Sequence, residues 1–111
     1  MNVETRQHGD ILVVDMAGRL DGYGAGNVND KLVAIAKGGA KKIVLNLSRL
    51  EFVSSAGLRV FLTMAKLLQS SRGEIRICNP SAPVREVLAT SGFTSLIHIF
   101  DDEKSAFEFG S

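Results

Sequence analysis

Two adjacent hydroxyls, Ser54 and Ser55, stand in the segment Phe52-Val53-Ser54-Ser55-Ala56-Gly57-Leu58, where a strand-like run meets a helix-like one. Upstream, Ile43-Val44-Leu45-Asn46-Leu47 is almost unbroken apolar sequence, as expected of a strand covered on both faces. Downstream, Leu58, Phe61, Leu62, Ala65 and Leu68 recur at helical spacing. The first backbone N–H groups of a helix lack intrahelical acceptors and favour negative charge. A serine at such a junction has two possible uses: an N-cap, or the acceptor of a phosphate that the helix end would stabilise. Residue types alone leave both open.

Other residues capable of chemistry form weaker patterns. Asp21-Gly22-Tyr23-Gly24-Ala25-Gly26 follows a strand and precedes a helix, but Asn27 stands where a dinucleotide loop would place its third glycine, and no P-loop lysine follows. His8 sits in a predicted turn and His98 in a strand, neither with a cluster of Cys, Asp or Glu at ligand spacing, so no metal or cofactor is expected. No serine sits in a G-x-S-x-G elbow. Cys78, the single cysteine, falls in a strand-like run and reads as core filler. Nothing in the sequence supports an enzyme.

The elements that would position Ser54 and Ser55 alternate along the chain. Residues 3–7 and 11–17 read as a β-hairpin about His8-Gly9-Asp10. A glycine-dense loop covers 18–26. Val28, Leu32 and Ile35 then mark a first helix that stops at Gly38-Gly39. A strand over 42–47 and a helix over 56–70 follow, then a strand over 74–78. Ser81 as N-cap and Pro83 in the first turn open a third helix carrying Val84, Val87 and Leu88, ended by Gly92. Residues 96–100 read as a last strand, and Asp101 or Asp102 caps a final helix with Ala106 and Phe107. The order ββαβαβαβα predicts an α/β fold: one mixed, mostly parallel sheet covered by about four α-helices, spanning 1–111 as one domain.

Composition agrees with a compact domain: 111 residues, 45% hydrophobic and 23% charged. A formal net charge of +1, with dispersed charges, implies no nucleic-acid footprint. No apolar run approaches the roughly 18–20 residues needed to cross a bilayer, so no membrane insertion is expected. The N-terminus is polar, and a lone cysteine suits a reducing cytoplasm.

Together the element order and three stretches resemble the STAS domain of the anti-sigma factor antagonist family. The stretches are Gly18-Arg19-Leu20-Asp21; Leu45-Asn46-Leu47-Ser48 through Gly57-Leu58; and Asn79-Pro80 through Val87-Leu88-Ala89-Thr90-Ser91-Gly92-Phe93. The resemblance implies a regulator that binds an anti-sigma serine/threonine kinase and frees a sigma factor. In the family that kinase phosphorylates a serine at the start of the second helix, and a serine phosphatase reverses the step. Laid on this chain, the acceptor falls on Ser55, with Ser54 the lesser candidate; Gly57 and Leu58 close the motif. Ser54 replaces the family's aspartate before the acceptor, Ala56 its second hydroxyl, and Asn46 the aspartate within the preceding strand, which would leave the pocket around the acceptor less negative. Asp21 matches an acidic position near the acceptor. The expected partner surface is Asp21, Tyr23, Ser54, Ser55, Gly57, Arg59 and Met64. A STAS adaptor that is not phosphorylated, such as a subunit of a membrane transport assembly, is the other reading the family allows.

The second helix also carries two apolar stripes. One is Leu58, Phe61, Leu62, Ala65 and Leu68, expected to face the sheet; the other is Val60, Met64 and Leu67, with Arg59, Thr63, Lys66 and Ser70 in the polar arc. The second stripe is either buried by the first helix or a docking stripe with Met64 at its middle.

Overall fold

A computed structural model of the chain describes residues 1–22 and 25–109. Five strands form one sheet in the order β1 (Asn2–His8), β2 (Ile11–Leu20), β3 (Lys42–Val53), β4 (Glu74–Cys78) and β5 (His98–Phe100). β1 and β2 are antiparallel, joined by a tight turn at Gly9, whose φ of 59° suits a residue without Cβ. Every later neighbour is parallel. The helices α1 (Ala25–Lys37), α2 (Ser55–Ser70) and α3 (Ala82–Thr90) make the crossovers, and α4 (Glu103–Glu108) follows the last strand. The mixed sheet and element order match the expectation from sequence.

Strand order and handedness decide which helix covers which face. Parallel crossovers are right-handed, so in a sheet that grows steadily in one direction they all fall on the same side. Val28 and Leu32 of α1, Phe61 and Leu68 of α2, and Val84 and Leu88 of α3 accordingly share one core with Val14, Ile43, Leu45, Leu47 and Ile77. The other face holds a smaller cluster, Ile11, Val13, Val44 and Cys78, closed by Ala106 of α4.

β3 is longer than the sequence indicates, running to Val53 instead of Leu47. Its far half carries charges and looks loop-like, because two register shifts against β2 break the alternation. Between Asp15↔Asn46 and Ala17↔Arg49, β3 uses an extra residue, and it does so again before Arg19↔Phe52. Leu47, Leu50 and Val53 therefore all reach the main core despite a spacing of three. β2 likewise extends to Leu20, taking in the first residues of the expected glycine loop. A 3-10 turn at Phe93–Ser95 occupies sequence expected to join helix and strand directly, and β5 is shortened to three residues.

Candidate functional site

Three backbone contacts fix the junction after β3. The Ser54 N–H donates to the Leu20 carbonyl at 2.9 Å, tying the end of β3 to the end of β2. The Leu58 N–H donates to the Ser54 carbonyl at 2.9 Å, which closes the first turn of α2. Ser54 itself is extended (φ −94°, ψ 175°), and its hydroxyl accepts from the Gly57 N–H at 3.3 Å. Ser54 is thus the N-cap. Ser55 is the first helical residue and is exposed, one residue earlier than the sequence places the helix start.

Gly57 is buried where α2 crosses the strand ends. A Cβ there would lie 2.8 Å from Leu20 Cγ, 2.8 Å from Val53 Cγ2 and 2.9 Å from the Leu20 carbonyl oxygen. Its expected place on a partner surface does not hold: the position serves close approach of helix to sheet.

The buried line of α2 is Gly57, Val60, Phe61, Met64 and Leu68. Met64 is fully buried, so it cannot stand on a docking surface. The cause is α1, which packs alongside α2 and draws Val60 and Met64 into the main core. The stripe expected to face the sheet is split: Phe61 and Leu68 are buried in the main core, while Leu58, Leu62 and Ala65 are only partly buried at its edge. At about 100° per residue the buried line centres opposite Ser55. Ser55, Arg59, Leu62 and Lys66 therefore share the outward line, with Leu58 at its margin and Ser55, Arg59 and Lys66 exposed. Leu58 and Leu62 pack against the main core from its edge and border this surface with their remaining exposed area. The pertinent signal was their spacing of three and seven from Ser55.

The remaining expected residues divide. Asp21 is half-buried directly after Leu20, whose carbonyl holds Ser54. Tyr23 lies outside the described residues. Asn46, expected to border the Ser55 pocket, makes its hydrogen bonds to Glu103 and Ser48 instead. It lies on the α4 side of the sheet, 8% exposed, where its Nδ2 donates to Glu103 and its Oδ1 accepts from the Ser48 N–H at 2.9 Å. That second bond satisfies a backbone donor displaced by the first β3 irregularity. Arg6 joins the same network, donating to Asp15 through Nε at 2.7 Å and through Nη2 at 3.1 Å, and to Glu103. Beneath it, burial pushes the Cys78 thiol up to about 12, with the nearby Glu103 carboxylate acting in the same direction. A thiol so held is a poor nucleophile at neutral pH.

An open groove beside the C-terminal half of β3 is lined by Ser48, Arg49, Leu50, Glu51, Ser81 and Pro83. The Ser81 hydroxyl donates across it to the Leu50 carbonyl at 3.0 Å instead of capping α3. Neither Ser54 nor Ser55 lines it.

Four matches to known proteins bear on this geometry. The model of the STAS domain matches residues 2–106. The sequence is 33% identical over 107 residues to the anti-sigma F factor antagonist of Paenibacillus polymyxa, covering 96% of this chain and 92% of that protein. The fold superposes on the anti-sigma factor antagonist SpoIIAA in its unphosphorylated form with a TM-score of 0.80 at 25% identity, covering 96% and 94% of the two chains. The phosphorylated form of SpoIIAA, described as a Bacillus cell fate determinant, gives a TM-score of 0.71 at 25% identity over 96% and 97%.

Proposed function

The chain belongs to the STAS domain family, and from that membership we propose that it is an anti-sigma factor antagonist switched by phosphate on Ser55. In this reading it docks the start of α2 on an anti-sigma serine/threonine kinase, which then releases its sigma factor. The Paenibacillus relative, an anti-sigma F factor antagonist, supports antagonism, and the existence of SpoIIAA in two phosphorylation forms supports a phosphate switch. One observation carries the choice of residue: Ser54 spends its hydroxyl on the Gly57 N–H, while Ser55 turns outward at the first helical position.

The chemistry is a transfer from ATP. The Ser55 oxygen forms a bond to the γ-phosphorus, the bond from that phosphorus to the bridging oxygen breaks, ADP leaves, and the hydroxyl proton passes to a base of the kinase. Hydrolysis by a serine phosphatase returns the hydroxyl and inorganic phosphate. The chain supplies only the acceptor.

The energetics favour a switch. Phosphoserine adds about −1.5 to −2 charges near neutral pH. The first turn of α2 carries no acidic side chain, so the helix end offsets that charge by about 0.3–1 kcal/mol and the free domain tolerates it. At a packed partner surface the same charge is desolvated, and each 1.4 kcal/mol of that cost weakens binding about tenfold. The outward line of Ser55, Arg59, Leu62 and Lys66, with Asp21 near the strand end, offers an apolar strip flanked by charge as the contact.

The experiment is incubation with the cognate kinase and ATP, followed by mapping of phosphate by mass spectrometry. Label on Ser55, together with weaker kinase binding by Ser55→Asp, is the expected result. An active kinase that leaves Ser55 unlabelled would sink the switch. Tight partner binding indifferent to both Ser55→Ala and Ser55→Asp would point instead to the adaptor role.

A further inference from the structure

A phosphate on Ser55 would attract a cation beyond what the helix end supplies, and α2 has one at the right place. Arg59 lies four residues on, rotated only about 40° from Ser55 around the helix axis. The face opposite both is occupied by Gly57, Val60, Met64 and Leu68, so their side chains share the solvent side, and both residues are exposed. Residues at i and i+4 are side-chain neighbours, and a long side chain on a helix leans back toward the N-terminus. A guanidinium at Arg59 is thus within reach of a group carried by Ser55. Lys66, the other cation on this line, stands about 16 Å from Ser55 along the axis, beyond the reach of the same group. No acidic side chain lies in the first turn to compete.

We propose that Arg59 is the phosphate-pairing residue of this chain, donating paired N–H bonds to the phosphate carried by Ser55. The proposal rests on the reading of Ser55 as the acceptor. A guanidinium fits two phosphate oxygens at once, which a lysine ammonium does not. The consequence is a two-part switch. Phosphorylation adds charge at the docking surface and also withdraws Arg59, whose donors in the unmodified chain are open to a carboxylate on the partner.

The test uses the full chain with phosphoserine encoded at position 55 during translation, so no kinase is involved. The second ionisation of the phosphate is followed by 31P NMR in the otherwise unaltered chain and in Arg59→Gln and Arg59→Lys. The unaltered chain should show a pKa lower than Arg59→Gln by about 0.2–0.4 unit. Arg59→Lys should fall between them, and the Arg59 Nε–H resonance should move with the same midpoint. Equal phosphate pKa values in the unaltered and Arg59→Gln chains would overturn the pairing, as would an Arg59 resonance that ignores the titration. A kinase that never labels Ser55 would end the acceptor reading while leaving this titration intact, so the two failures are distinct.

Discussion

The hydroxyl of Ser54 accepts a hydrogen bond from the backbone N–H of Gly57 at 3.3 Å, and this contact separates the roles of two neighbouring serines. Ser54 serves the fold and Ser55 is left to the surface. Ser54→Ala should lose about 1 kcal/mol of stability with the loss of the cap. Ser55→Ala should stay within about 0.5 kcal/mol of the parent. Urea unfolding of the two variants measures the difference, and equal losses would contradict the assignment of the cap.

Gly57 has no room for a methyl group between Leu20 and Val53. Gly57→Ala should therefore destabilise the domain by about 1–3 kcal/mol through overpacking, since backbone and branched side chains must give way together. Thermal unfolding reads this directly. A neutral substitution would show that α2 can ride up from the strand ends at little cost.

Asn46 donates to Glu103, an acid on a different element, and this explains the amide at that position in β3. Asn46→Asp would set a new carboxylate against Glu103 and beside Asp15, with Arg6 already shared between those two acids. It should lower stability near neutral pH by about 1–3 kcal/mol, with relief when Glu103→Gln is added. A double-mutant cycle tests this, and additive losses would show that the two side chains do not interact.

Asp102 caps α4, and its carboxyl is held below the ordinary value of 3.8 by the Ser105 backbone N–H, at 2.8 Å, and then by the Ser105 hydroxyl. A depressed folded pKa stabilises the folded state fully above the unfolded value, and the benefit is lost as pH falls through the folded one. Seating of α4 should thus weaken below about pH 4. Cys78 under α4 reports it: labelling by a thiol reagent active in acid should accelerate from pH 5 to pH 3, and Asp102→Ala should flatten that dependence. At pH 8, a pKa of about 12 in place of 9.0 cuts the thiolate fraction about a thousandfold, so alkylation should be correspondingly slow.

Much of the architecture was legible because it depends on local pattern. Alternation in β1 and β2, the apolar run of 43–47, the helical spacing of Val28 and Leu32, and the punctuation at Gly38-Gly39 each constrain nearby backbone whatever lies far away. The far half of β3 was not legible, since its irregularities place Leu50 and Val53 inward at a period that matches neither strand nor helix.

For the site, the sequence by itself determined that hydroxyls stand at a strand-to-helix junction followed by an amphipathic helix with apolar residues on more than one side. It could not decide which apolar side is buried, because two stripes compete and only the neighbouring α1 breaks the tie. That packing buries Met64, turns Leu62 outward and sets Ser55 and Arg59 on one solvent line. Nor could it place Asn46 on the far face, which depends on the pleat of a central strand between two layers. Local covalent order wrote the helix. The competition among side chains for one interior chose its face, and with it the serine left at the surface.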